Sequence, residues 1–206
     1  MITVVVGAGG KTTLIHQLAD QYRKEGKKVF VTTTTHMYIE PDTLLTDDAN
    51  EIIRQLEETG YCMAGISCGE KFGALPQPVY EAVCAEADEV LVEADGSKRL
   101  PIKFPNETEP IIPDNAEKII VVCGLQALGK PAKDVAFRLE LVKKCLNISD
   151  DTLITAAHIE QLVSEGYVIP LRERYPEITI EVHATHDDSV YQREVAFSLL
   201  NIIHKP

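Results

Sequence analysis

Apolar positions follow two rhythms along this chain: short continuous runs, and longer stretches at helical spacing. Ile2 to Val6 is a β-branched run ending in glycines; between Lys11 and about Lys24, Leu14, Ile15, Leu18 and Tyr22 then recur at helical spacing. Gly26 ends that helix and Lys28 to Thr33 reads as a second strand, so the segment predicts a βαβ unit with parallel strands. A second helix is predicted from Asp47 to Glu58, with Ile52, Ile53 and Leu56 inward, leading through Gly60 to a weak strand near Tyr61 to Ser67. A third helix, Val79 to Glu86, precedes the apolar strand Val90 to Val92. Ile119 to Val122 and Ile178 to Val182 read as further strands, and Val135 to Cys145, Ala157 to Ser164 and Val190 to Ile203 as further helices. Such alternation predicts an α/β fold, a mostly parallel sheet with helices on both faces. Between these elements, Lys98 to Asp114 carries Pro101, Pro105, Pro110 and Pro113, which excludes regular helix and central strand and predicts a structured loop. With no internal repeat, low-complexity tract or linker, residues 1–206 are expected to form a single domain.

Composition narrows the partners. Twenty Lys and Arg against 32 Asp and Glu give a formal charge of -12, which repels nucleic acid and anionic membrane. A nucleotide still binds such a surface where amides and basic groups are concentrated locally and a divalent cation offsets the repulsion. The five cysteines (Cys62, Cys68, Cys84, Cys123 and Cys145) are odd in number and scattered, without the close pair of a zinc or iron-sulfur site, and are expected to be reduced and mostly buried. No apolar run approaches ~18 residues, and Ile2 enters a strand pattern without a basic leader, so a cytoplasmic location is expected.

The first strand opens into Gly7-Ala8-Gly9-Gly10-Lys11-Thr12-Thr13 and then a helix, the context in which a glycine-rich loop wraps phosphates. Glycines let amides point inward, the helix N-terminus adds partial positive charge, and Lys11 supplies a full one. Thr12 is placed to offer its hydroxyl to magnesium. Gly7 and Gly10 enclose only Ala8 and Gly9, two residues fewer than the common phosphate loop, so the loop resembles that of the Mur ligases. The expected architecture is therefore P-loop NTPase-like.

Val90 to Gly96 is an apolar strand that finishes in two acids, Glu93 and Asp95, where open α/β sheets gather ligand groups. Both are candidates to hold magnesium or orient an attacking water, without a ranking between them. At the end of the second strand, Thr32 to Thr35 alternate, Thr33 and Thr35 to one side, and a hydroxyl from Thr34 or Thr35 is a candidate for magnesium or the terminal phosphate. His36 is a candidate proton shuttle or substrate ligand. His158, His183, His186 and His204 form no metalloprotease-like pair, which argues against a protein-bound transition metal.

Taken in order, VVVGAGGKTT, VTTTTHM and VEADGSKRLPIKFPNETEPIIP resemble the YqeC family, named as probable selenium cofactor biosynthesis or selenium-dependent hydroxylase accessory proteins. The resemblance spans about Thr3 to Leu162 and includes GLQALGKP at Gly124 to Pro131 and Arg138. It implies a nucleotide-binding protein in the maturation of selenium-dependent molybdenum hydroxylases, with a molybdenum hydroxylase or its selenium-containing cofactor as partner. Under it, Gly9, Gly10, Lys11 and Thr12 carry over to nucleotide binding, and Glu93, Asp95, Ser97, Lys98 and Lys103 match the family's acidic and basic loop. Longer relatives continue into an Asn-Lys-x-Asp-like element able to read guanine; none follows Ile169 here, and the choice between ATP and GTP stays open.

Three functions compete. The first is a magnesium-dependent ATP or GTP hydrolase, with Lys11 on the β and γ phosphates, Thr12 and Asp95 or Glu93 on the metal, and Lys98 or Arg138 adding positive charge. The second is a small-molecule phosphotransferase or Mur-like ligase in which His36, Lys98 and Lys103 position the acceptor. The third is a nucleotide-sensing partner without turnover.

Overall fold

The computed structural model describes residues 1–186 and 189–200. In chain order its elements are β1 (Ile2–Gly7), α1 (Lys11–Lys24), β2 (Val29–Thr33), β3 (His36–Tyr38), β4 (Thr43–Leu45), α2 (Ala49–Thr59), β5 (Tyr61–Cys68), β6 (Lys71–Gly73), α3 (Gln77–Glu86) and β7 (Glu89–Glu93). There follow β8 (Ile102–Lys103), β9 (Lys118–Gly124) with a 3-10 turn at Leu125–Ala127, α4 (Ala132–Val135), β10 (Ala136–Phe137), α5 (Leu139–Leu146), α6 (Ala156–Val163) running into a π turn at Ser164–Val168, α7 (Ile169–Arg174), β11 (Thr179–Thr185) and α8 (Val190–Leu200). The architecture is α/β with mostly parallel strands, as the apolar rhythm predicts. The chain groups into two compact units: the first holds Met1–Val5, Thr12–Asp95 and Ile111–Glu117, the second Val6–Lys11, Gly96–Pro110 and Lys118–Pro206.

In the first unit, β7 pairs in parallel with both β1 and β2, in a register that sets Val5 and Thr33 abreast of Glu93. Parallel pairing gathers the carboxyl ends of the strands at one edge, where such sheets place their ligands. β2 also pairs in parallel with β5, and all five residues of both β2 and β7 are buried, so each strand is covered on both faces. Beyond β5, which β4 joins in parallel, the sheet turns antiparallel through β6 to β3. Helix α2 starts where Asp48 accepts a hydrogen bond from the Asn50 amide and stops where Gly60 takes a left-handed φ of 70°. It buries Ile52 and Leu56, roughly 1.5–3 kcal/mol per side chain taken from water.

In the second unit, β9 and β11 run in parallel over seven paired positions, from Lys118 opposite Thr179 to Gly124 opposite Thr185. Helix α6 opens on a capping box in which Thr155 and His158 satisfy each other's backbone amides. Ile119, Leu125, Ile154, Ile159 and Tyr167 are its largest fully buried side chains.

Several predicted elements change. The helix expected from Val135 to Cys145 is broken: Ala136–Phe137 is extended and pairs with Ile102–Lys103, and Arg138 at a φ of 57° blocks helix propagation until α5. The proline-rich loop thus gains a two-residue strand, β8, paired away from the main sheet. The weak strand near Tyr61 is eight residues long, and α3 starts at Gln77 because Pro78 is tolerated in a first turn. The last strand runs to Thr185, three residues beyond its predicted end. The helix predicted to end at Ser164 continues through the π turn into α7. Of the helix predicted to reach Ile203, residues 201–203 lie outside the described residues, as does His204. The antiparallel β3–β6 pair and β4 lie outside the predicted elements, being only three residues per strand. Among the described residues, no helix is long and apolar enough to cross a membrane.

Candidate functional site

The loop Gly7 to Lys11 belongs to the second unit and lies against the backbone of β9. Gly7 has a φ of 96° and a Cβ there would stand 2.2 Å from the Val122 carbonyl oxygen; Gly9, at 84°, would place one 2.5 Å from Gly124 Cα. Any other L-residue at either position meets both a strained backbone and a collision with main chain that cannot yield. The Ala8 amide donates to the Val122 carbonyl at 2.9 Å and anchors the loop. Lys11 is 3% exposed, and its ammonium donates to the Gly7 carbonyl at 2.8 Å. The Gly9 carbonyl accepts from the Thr185 hydroxyl at the end of β11. Two carbonyl oxygens of the loop are thereby occupied by donors, which favours amides over carbonyls as the groups it offers to an anion. Beneath Gly7 and Ala8 the cavity left among Val122, Cys123, Ile159 and Tyr167 is about 10 Å³, room for no more than a water, so the loop rests on packed side chains.

Thr185 is not among the residues the sequence predicts for the site; the Nδ1 of His186 lies 3.1 Å from its hydroxyl. The sequence predicts a strand only from Ile178 to Val182, which stops short of Thr185.

The acidic candidates lie in the first unit. Thr12 is half-buried in the first turn of α1 and donates its hydroxyl to Glu93 Oε2 at 3.0 Å. The Glu93 carbonyl in turn accepts from the Thr33 hydroxyl at 2.7 Å and the Thr34 amide at 3.1 Å, which fixes the end of β7 to the end of β2. Asp95, two residues on, is fully buried. Hydroxyl and carboxylate oxygens are the hard donors that magnesium takes, so this set fits it. Thr13 is exposed. Thr33 and Thr35 do share a side, their hydroxyls 3.4 Å apart. The Thr34 hydroxyl donates to the Ile111 carbonyl and that of Thr32 to Ala64, so both are engaged with main chain. His36 is exposed on β3.

In the proline-rich loop, Lys98 and Arg99 both have left-handed φ values, 47° and 62°, and the Lys98 ammonium lies 5.6 Å from the centre of the Phe137 ring. The Lys103 side chain is fully buried, donating to the Gly96 carbonyl at 2.8 Å and to Glu109 Oε2 at 3.0 Å. Arg138 reaches the same oxygen at 2.7 Å. Burial opposes the charge on Glu109, but the Arg138 hydrogen bond and the Lys103 ammonium outweigh it and hold the carboxyl below the usual carboxylate range. Lys103 is thus a staple of the loop, and Arg138, considered as a source of transition-state charge, is committed to Glu109.

The cysteines are unpaired. Cys62 and Cys123 are buried, Cys84 and Cys145 half-buried and Cys68 exposed. Burial pushes the thiols of Cys62, Cys123 and Cys145 up to about 12 and that of Cys84 to about 11, which keeps them protonated and poor nucleophiles.

The family described as YqeC protein matches residues 3–140, two-thirds of the chain and all of the candidate site except β11. The chain belongs to the YqeC family. A relative described as "Uncharacterized protein YqeC", from Escherichia coli strain K12, is 37% identical over 133 residues, which cover 61% of this chain and 52% of the relative. The chain therefore spans about half the length of that YqeC relative. Among solved structures, the chain is similar to the MinC:MinD cell division protein complex of Aquifex aeolicus, with a TM-score of 0.48 and 12% identity over 97% of this chain and 77% of that one. It is also similar to FtsY from Mycoplasma mycoides, with a TM-score of 0.32 and 16% identity over 99% of this chain and 68% of that one. At such scores neither likeness carries a conclusion.

Proposed function

We propose that this YqeC family member binds a nucleoside triphosphate, ATP or GTP, with magnesium and hydrolyses it during maturation of selenium-dependent molybdenum hydroxylases. The observation that carries the reading is the geometry of Gly7 to Lys11: glycines in left-handed conformations against β9, with carbonyl oxygens of the loop taken by Lys11 and Thr185. Amides and one ammonium are the groups that a polyphosphate seeks. Lys11, held in the loop by its bond to the Gly7 carbonyl, supplies the full positive charge that the β and γ phosphates meet. The Thr12 hydroxyl and the Glu93 carboxylate, already within hydrogen-bonding distance of each other, hold the metal together with or in exchange for Asp95. Magnesium bound there supplies charge neutralisation for the phosphates. Glu93 or Asp95 orients the attacking water, and Lys98 lends positive charge to the leaving group. The role in selenium-dependent hydroxylase maturation rests on the family resemblance, with a molybdenum hydroxylase as the partner.

Phosphate release from ATP and GTP tests the reading, measured with magnesium and with the metal chelated. Release that requires magnesium and falls by about 100-fold or more in Glu93→Gln or Asp95→Asn is expected, the scale of losing a metal or water-orienting group. Release unchanged in both variants contradicts the assignment; phosphate delivered to an added acceptor rather than to water supports a phosphotransferase instead.

A further inference from the structure

A cavity of about 180 Å³ lies within the first unit, between α1, the turn that joins β3 to β4, and the start of β5. A space of roughly 150 Å³ already holds a benzene molecule, so this one admits a small organic ligand. One wall is apolar: Ala19 and Met63 are buried there, and the short alanine side chain leaves the space open. The facing wall is a fixed turn from Glu40 to Thr43, with Pro41 at its second position. The Thr43 amide donates to the Glu40 carbonyl at 3.0 Å and the Glu40 amide to the Thr43 hydroxyl at 2.9 Å, while that hydroxyl donates to Met63 Sδ at 3.5 Å. Parallel pairing of β4 with β5, Thr43 abreast of Met63, ties the turn to the sheet. Apolar side chains beside a few convergent polar groups, in place before any ligand arrives, are the usual build of a small-molecule site.

The polar groups around the cavity are unevenly matched. On α1, His16, Asp20 and Arg23 follow one another at helical spacing. Arg23 lies 3.9 Å from the Asp20 carboxylate and 5.1 Å from the centre of the Tyr61 ring, and His16 Nε2 lies 2.9 Å from Glu40 Oε1. Among the described residues, three acceptors lining the cavity then have no donor: the second oxygen of Glu40, the carboxylate of Asp42 and the phenol oxygen of Tyr61. Burial, and after it the charge of Glu40, pushes the Tyr61 phenol up to about 12, so it stays a neutral hydroxyl. An ammonium group carries three N–H donors and the positive charge that answers the two carboxylates. Among the described residues no group of three or more His, Cys, Asp and Glu is arranged to hold a metal ion, which favours an organic cation. We propose that this cavity binds a small molecule bearing a primary amine, with Glu40, Asp42 and Tyr61 receiving the ammonium group and Ala19 and Met63 its apolar part. The site goes beyond the phosphate-loop reading and does not depend on it.

Titrating the full chain with benzylamine, benzyl alcohol and benzoate, three probes of one shape and different charge, tests the site through the NMR signals of Ala19, Thr43, Tyr61 and Met63. Benzylamine is expected to move these signals to saturation and to bind about tenfold more tightly than benzyl alcohol, the scale of one hydrogen bond to a charged group. Benzoate is expected to leave them in place. Glu40→Gln and Asp42→Asn keep the shape of the cavity and each remove one charge; each is expected to weaken benzylamine about tenfold at a melting temperature like that of the wild type. Benzoate or benzyl alcohol bound as tightly as benzylamine overturns the assignment. So does benzylamine that fails to saturate these signals in the wild type, or that binds both variants as tightly as the wild type.

Discussion

Gly7 and Glu109 show how differently single residues support the same region. Gly7 contributes by lacking a side chain: at a φ of 96°, a Cβ would sit 2.2 Å from the Val122 carbonyl oxygen. Gly7→Ala must therefore lift the loop from β9, at a cost of roughly 3 kcal/mol or more in urea unfolding, because strain and collision add. Glu109 contributes by its charge, set between Lys103 and Arg138. Its carboxyl is held below its ordinary value of 4.5 in the folded protein, so its contribution is complete above that value and is lost as pH falls through the lowered one. Stability measured against pH is expected to decline on the acid side less steeply in Glu109→Gln than in the wild type. At neutral pH the same variant is expected to be about 3 kcal/mol less stable, since it leaves two cations around a neutral amide.

At the scale of elements, helix ends make the cleanest tests. The Asp48 carboxylate caps α2, and Asp48→Ala is expected to cost about 1 kcal/mol in thermal unfolding. Asn147 closes α5 at a φ of 53°, so Asn147→Gly is expected to be neutral or stabilising by up to about 1 kcal/mol, whereas Asn147→Ala destabilises. The strands that carry the candidate site were legible because β1, β2, β7 and β9 are continuous apolar runs with no competing period. The break at Arg138 was not, since Val135, Leu139 and Val142 keep a helical rhythm and nothing local announces that Ala136–Phe137 pairs with Ile102–Lys103. The Gly7 to Thr13 loop and the acids Glu93 and Asp95 stand out as candidates in the sequence because chemistry and spacing agree within a few residues. Thr185 does not, because it matters through Gly9, far along the chain.

For the whole molecule, a formal charge of -12 means that an anionic ligand approaches against the average field, and only local amides and cations reverse it. Nucleotide affinity is therefore expected to depend strongly on magnesium and on Lys11. Lys11 is buried and donates to its own loop, so the melting temperature is measured beside binding to separate a lost ligand contact from a lost fold. Calorimetric titration of Lys11→Ala beside the wild type, with ATP and GTP in magnesium buffer, is the most direct measurement. Binding by the wild type that vanishes in a variant with an unchanged melting temperature is the predicted result; equal binding by both proteins would contradict a triphosphate site at this loop.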